Sequence, residues 1–233
     1  DVYKRQELQR FFYAIGIPMF QGYGLSEATP VISTNSPKHH WHRFGSSGKI
    51  LEPLDLKILD EEGRELPRGQ KGEIVIRGEN VMAGYLKNPG ATAETVRDGW
   101  LHTGDMGTMD PDGTLYIRGR SKTMILSGSG QNIYPEEIED KLNNMYLVLE
   151  SLILDSGNGK LKAMVVPDYE QAEAEGVDKN DLPQIMQNNL TELNSLLAAY
   201  ERVSEIIIYP TEFEKTPKRS IKRYLYSPSL LNK

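Results

Sequence analysis

Apolar residues recur at helical spacing at the start of the chain, at Leu8, Phe11, Phe12 and Ile15, and Gly16 is placed to end that helix. The run Ile17-Pro18-Met19-Phe20 predicts a short buried strand, with Pro18 near its beginning where a missing donor is tolerated. Farther on the period drops to two. Residues 48–50, 54–59, 72–77 and 81–85 alternate, punctuated by Asp60-Glu61-Glu62-Gly63 and Pro67-Arg68-Gly69, which predicts a small β-barrel or distorted sheet. Residues 91–96 form a short helix ending near Gly99, and Trp100 reads as packing. Asp110-Pro111-Asp112-Gly113 suits a tight turn, because Pro presets φ and Gly supplies a positive one. It pairs residues 106–109 with 114–118 as a hairpin, and Thr103-Gly104-Asp105 reads as a tight turn just before it.

The second half has a different rhythm. Pro135-Glu136-Glu137-Ile138-Glu139 starts a helix, with Pro early and acids facing the positive end of the dipole. Residues 152–154 and 161–166 read as strands joined by Ser156-Gly157-Asn158-Gly159, residues 181–200 as a helix, and residues 203–209 as a last strand. The fold expected is α+β: the end of an α/β subdomain (1–30), a distorted barrel-like subdomain (31–119), and a mobile α+β lid (120–233).

Composition adds exclusions. With 38% hydrophobic and 26% charged residues in 233, the chain is ordinary globular material. A net charge of -6 argues against a general nucleic-acid binder, which relies on clustered cations. Without cysteine there is no disulfide framework, thiolate metal site or cysteine nucleophile. No apolar run approaches a membrane span and no signal peptide is visible, so the setting expected is cytoplasmic, with membrane association at most peripheral. The chain opens on Asp1 in what reads as the middle of an element, which implies a missing N-terminal portion; residues 1–6 read as foreign to the natural protein.

Three stretches carry candidate chemistry. In Gln21-Gly22-Tyr23-Gly24-Leu25-Ser26-Glu27, the glycines flanking Tyr23 let backbone approach a flat ligand and leave an aromatic face for stacking. Glu27 is a hard oxygen ligand suited to Mg2+ held mainly by nucleotide phosphates. Asp105 is a carboxylate able to accept hydrogen bonds from a vicinal diol such as ribose, or simply the closure of an Asx-turn. Residues 213–226 hold five cations, Lys215, Lys218, Arg219, Lys222 and Arg223. His39, His40 and His42 lack the spacing of a metal site and read as an exposed loop.

The order Gly-Trp-x-x-Thr-Gly-Asp, hairpin, Gly-Arg-x-Lys, then Ser-Gly-x-x-x-Asn-Ile-x-Pro-x-Glu-Ile-Glu resembles the adenylate-forming superfamily of acyl-CoA synthetases, luciferases and peptide-synthetase adenylation domains. The resemblance covers the C-terminal half of a family member, and is nearest in pattern to bacterial long-chain fatty-acid ligases. It implies that Asp105 and Arg120 bind the ATP ribose, and that Gly22, Tyr23 and Gly24 form the adenine motif. Ser26 would contact phosphate, Glu27 would hold Mg2+, and Lys122 would be the hinge. Ser127, Gly128 and Gly130 would line the CoA pantetheine tunnel. The family ends in Lys-Thr-Pro-x-Gly-Lys-x-x-Arg, whose second Lys meets the carboxylate and α-phosphate. Here Ser220 stands at that Lys position, and Lys222 is the substitute expected, with Lys218 as alternative. The activity implied is an ATP-dependent fatty acid–CoA ligase acting through an acyl-adenylate, with this fragment by itself catalysing little. The alternatives are an enzyme loading a carrier-protein pantetheine and a non-catalytic nucleotide-binding module.

Overall fold

The computed structural model describes residues 5–37, 43–157, 159–217 and 219–226. His39, His40, His42, Asn158 and Lys218 lie outside these residues, as do four of the six opening positions. The chain divides into two compact units, one running through Lys122 and the other beginning at Thr123.

In the first unit α1 (Arg5–Ala14) ends where its spacing predicted: Gly16 takes a φ of 82° and its N–H meets Tyr13 O at 3.0 Å. The buried strand expected over 17–20 does not form, and Ile17 and Phe20 are exposed. A strand needs a neighbouring edge, and none among the described residues is offered to this run. Eight short strands follow: β1 (Gly22–Gly24), β2 (Val31–Thr34), β3 (Gly48–Ile50), β4 (Asp55–Leu59), β5 (Gly72–Arg77), β6 (Val96–Arg97), β7 (Trp100–Met109) and β8 (Thr114–Arg120), with α2 (Pro89–Thr95) between β5 and β6. They form one sheet in the order β1-β2-β3-β8-β7-β5-β4, with β6 alongside β7, and every pairing is antiparallel.

The sheet is distorted but open, so the barrel is corrected. Its outer strands β1 and β4 are not paired with each other, and β1 to β3 are only three or four residues long, too short to wrap round and close. Residues 81–85 are not a strand either; they cross over the turn that follows β1, as described below. The buried alternation of β5, with Ile74 and Ile76, meets Ile32, Leu101, Leu115 and Ile117 in a single core.

The second unit opens with the small pair β9 (Ile125–Leu126) and β10 (Asn132–Ile133). It continues with α3 (Pro135–Asn143), β11 (Val148–Asp155), β12 (Leu161–Pro167), α4 (Tyr169–Ala174), α5 (Leu182–Ser195) and β13 (Val203–Ile208). β11 and β12 pair antiparallel while β13 joins β12 in parallel, a crossover that needs the length α4 and α5 supply. Sequence periodicity missed α4, which starts at an Asp168 cap accepting the Gln171 N–H at 2.9 Å. α5 stops five residues short of the expected end. The Asn194 side chain bonds both the N–H and the C=O of Val203, at 2.9 and 2.8 Å, turning the chain back into β13. One face of this sheet packs on Ile138, Leu142, Leu190 and Leu193, and the other on Phe213 and Tyr226. Among the described residues no helix is long and apolar enough to cross a membrane.

Candidate functional site

The glycines of Gly22-Tyr23-Gly24 serve strand packing. A Cβ on Gly24 would sit 1.7 Å from Pro30 O, and one on Gly22 would sit 3.0 Å from Ser33 O. Close approach of β1 to β2 therefore needs Gly24 bare, while a Cβ at Gly22 would be a tight contact. Alternation sends the Tyr23 ring into the core, where it is buried rather than left with an open face. Its hydroxyl donates to Asp105 Oδ2 at 2.7 Å.

Asp105 is not in a turn before the hairpin but inside β7, directly across from Arg120 of β8. Arg120 Nε is 3.0 Å from Asp105 Oδ1. The Thr103-Gly104-Asp105 stretch is a bulge. Between Glu73–Met106 and Val75–His102 the β7 strand carries extra residues, and Gly104 adopts a φ of 67° there. Side chains tie the bulge to β5: Glu73 Oε1 accepts the Gly104 N–H at 3.1 Å, Thr103 Oγ1 donates to Ile74 O at 2.7 Å, and His102 Nδ1 lies 2.8 Å from Glu73 Oε2. A bulge re-aims side chains, and this one turns the carboxylate toward Tyr23 and Arg120. Burial raises the Asp105 carboxyl above its ordinary value, with Tyr23 and Arg120 pulling the other way. Burial and the neighbouring carboxylate also push the Tyr23 hydroxyl far up, so it stays a proton donor.

Ser26 and Glu27 sit in a 3-10 turn, Ser26–Ala28, directly after β1. Residues 80–85 strap this turn down. Asn80 Nδ2 donates to Ala28 O at 2.7 Å, Met82 N–H to Glu27 O at 2.8 Å, and Tyr85 Oη to Glu27 Oε1 at 3.0 Å. Tyr85 carried no signal in the sequence, because its pairing spans 58 residues. Among the described residues no group of three or more His, Cys, Asp or Glu could hold a metal ion.

In the second unit a cavity of about 400 Å³ opens beside Ser127 and Gly128, with Lys160, Tyr200, Arg202 and Ser204 on its walls. Gly159 approaches so closely that a Cβ there would lie 2.5 Å from Gly128 N. Gly130, the third tunnel candidate, takes a φ of 78° in the adjacent turn and does not line the cavity.

The segment after β13 is a hairpin with an exposed tip. Lys215 bridges Ile221, Thr216 N–H meets Ser220 O at 2.8 Å, and Lys222 N–H meets Glu214 O at 2.8 Å. Two buried carboxylates hold its base. Glu150 accepts the Phe213 N–H at 2.8 Å and lies 2.8 Å from Lys215 Nζ; Glu139 accepts the Ile153 N–H at 2.6 Å and pairs with Arg223. Burial raises the Glu139 carboxyl, opposed by Arg223 and the Ile153 N–H. Lys222 lies on the stem past the tip, 3.1 Å from Glu214, and that hydrogen bond raises its ammonium above the ordinary value. The Arg223–Glu139 pair was within reach of the sequence, since both residues fall on the motif positions given above.

Residues 5–86 match the model of the AMP-binding enzyme family, and residues 122–227 match that of the AMP-binding enzyme C-terminal domain. The chain belongs to the adenylate-forming, AMP-binding enzyme family. One member, the 2-succinylbenzoate–CoA ligase of Bacillus cytotoxicus, is 46% identical over 136 residues, which is 58% of this chain and 28% of that one. Another, the long-chain-fatty-acid–CoA ligase of Yersinia pestis, is 37% identical over 210 residues, 89% of this chain and 35% of that one. The structure of O-succinylbenzoate coenzyme A synthetase from Bacillus subtilis in complex with ATP and magnesium superposes with a TM-score of 0.76 at 29% identity, over 94% of this chain and 43% of that one. The chain thus spans about a third of the length of these curated AMP-binding relatives.

Proposed function

We propose that the protein to which this chain belongs is an ATP-dependent acyl-CoA ligase. The observation that carries this reading is the Tyr23–Asp105–Arg120 constellation, assembled from β1, β7 and β8. A carboxylate has acceptor capacity beyond the bonds from Tyr23 and Arg120, and two vicinal hydroxyls are donors at the right spacing to use it. Gly22 and Gly24 then act by letting β1 deliver Tyr23 to Asp105. Glu27, braced by Tyr85, is a single carboxylate of the kind that suits Mg2+ bound chiefly through nucleotide phosphates, with Ser26 beside it.

The reaction is two displacements. A substrate carboxylate oxygen attacks the α-phosphorus of ATP and pyrophosphate leaves; the CoA thiol then attacks the acyl carbon and AMP leaves. Neither step needs a protein nucleophile, so the chain's task is positioning and charge stabilisation. The cavity beside Ser127 and Gly128 is our candidate for the CoA approach, since Lys160 and Arg202 suit phosphates and Tyr200 suits a base. Lys122, where the first unit ends, is our candidate hinge.

For the acid we favour a long-chain fatty acid, a reading supported by the Yersinia relative that matches 89% of this chain. The test is pyrophosphate release by the full-length protein with ATP, CoA and a panel of long-chain and aromatic acids. Release with fatty acids and formation of the CoA thioester support the proposal. Release with aromatic acids alone removes the fatty-acid assignment, and transfer to a carrier protein but not to CoA removes the ligase assignment.

A further inference from the structure

Asp105 is paired across the sheet on one side only. On the β8 side it faces Arg120, but on the β5 side the register runs from Glu73–Met106 directly to Val75–His102, so residues 103–105 have no ladder partner there. Side chains hold their backbone instead. The Asp105 N–H donates to Thr103 Oγ1 at 3.1 Å, the Gly104 carbonyl accepts from Ser121 Oγ at 3.2 Å, and the Gly104 N–H donates to Glu73 Oε1 at 3.1 Å.

Steric crowding does not fix the peptide that leads into Asp105. Gly104 has a φ of 67°, and a Cβ there would meet only Ser121 Oγ at 3.9 Å. A glycine with open space around it has the widest choice of backbone angles, so hydrogen bonds must select one. Glu73 is suited to that task because its own carboxylate is held at both oxygens. While Oε1 takes the Gly104 N–H, Oε2 lies 2.8 Å from His102 Nδ1. A carboxylate only accepts, so the imidazole nitrogen carries the hydrogen that joins them. Both side chains are largely sheltered, at 18% exposure for His102 and 27% for Glu73. The carboxylate thus grips β7 at two residues that lie within three positions of Asp105.

We infer that Glu73, oriented by His102, is a positioning residue for the nucleotide: it sets the Gly104 peptide so that Asp105 presents its carboxylate to the ribose hydroxyls. This rests on the reading of Asp105 as the ribose carboxylate. Glu73 acts through Asp105, so its effect is confined to the part of the ligand that Asp105 meets. A hydrogen bond to a charged group is worth about 10-fold or more in affinity, and it weakens steeply when misaligned.

The experiment is calorimetric binding of ATP and of 2′,3′-dideoxy-ATP to the full-length protein, with a circular-dichroism melt of each variant. In Glu73→Ala we expect ATP to bind about 10-fold more weakly while the dideoxy analogue binds as before. His102→Ala shifts the ratio in the same direction. Glu73→Gln keeps an oxygen for the Gly104 N–H and restores part of the preference. Added to Asp105→Ala, Glu73→Ala changes neither affinity further. Native preference for ATP in Glu73→Ala overturns the inference, as does an equal loss for both nucleotides or a further loss on the Asp105→Ala background. Where Glu73→Ala melts below the assay temperature, His102→Ala decides: a reduced preference supports the inference and a native one overturns it. A native protein that binds ATP and the dideoxy analogue equally overturns the ribose reading of Asp105, and this inference with it.

Discussion

Tyr23 and Asp105 lie 82 residues apart in the chain, yet the phenol donates a 2.7 Å hydrogen bond to the carboxylate from inside the sheet core. The ring rides on a strand whose Gly24 must be bare to lie this close to Pro30, and the carboxylate meets it from a bulge in β7. The pair therefore couples the packing of the first unit to the carboxylate proposed above for the ribose.

Replacing Tyr23 by Phe leaves the core filled but removes the donor. Asp105 then loses one of the two contacts that hold its carboxyl down against burial, so its pKa rises further. The ionised form is the one that accepts from a diol, so nucleotide affinity falls as pH drops through that pKa. In Tyr23→Phe the acid limb of a titration of AMP binding shifts to higher pH, and stability falls by about 1–3 kcal/mol. An unmoved limb would remove the Tyr23 bond from the account.

Gly24→Ala tests the close approach of β1 to β2. A methyl 1.7 Å from Pro30 O cannot be accommodated without moving one strand. Urea unfolding should show a loss of about 1–3 kcal/mol, the usual cost of overpacking, together with weaker nucleotide binding because Tyr23 rides on that strand. Gly16→Ala, with open space around its Cβ, adds only the strain of its positive φ.

Glu139 sets a pH dependence of stability. Its carboxyl is raised above 4.5 by burial, so between that value and the folded pKa the native state holds a proton the unfolded chain has released. The contribution of Glu139 to stability is then full below 4.5, falls as pH climbs through the window, and levels off above it. In Glu139→Gln that downward slope should flatten in denaturant titrations across pH 4 to 8. A slope of the same size in the variant would assign it elsewhere.

Lys160→Ala and Arg202→Ala each remove a cation from the cavity wall beside Ser127. If phosphates of CoA dock there, KM for CoA rises about 10-fold per substitution while KM for ATP stays put, the worth of one charge-assisted hydrogen bond. Equal effects on both substrates would point to general damage instead.

Much of the fold was legible because it is local. The helix of α1, the β7–β8 hairpin, the Pro135 start of α3 and the strands β11 to β13 follow from periodicity and turn chemistry, which act over a few residues. What the sequence hid was tertiary. The 17–20 run has the apolar character of a strand but pairs with no edge among the described residues, and residues 81–85 alternate yet serve as a strap over Glu27. Thr103-Gly104-Asp105 has turn composition, but the same glycine freedom makes a bulge when partners lie on both sides. At the site, the convergence of Asp105 and Arg120 was expected from the family pattern, whereas the inward turn of Tyr23 depends on strand register and could not be read from it.

The most direct test of the central claim compares ATP with its 2′,3′-dideoxy analogue by calorimetry, using the full-length protein and its Asp105→Ala variant. If the Tyr23-braced carboxylate holds the ribose, the native protein prefers ATP by about 10-fold or more, the value of a hydrogen bond to a charged group, and the variant shows no preference. The same preference in both proteins would contradict the account.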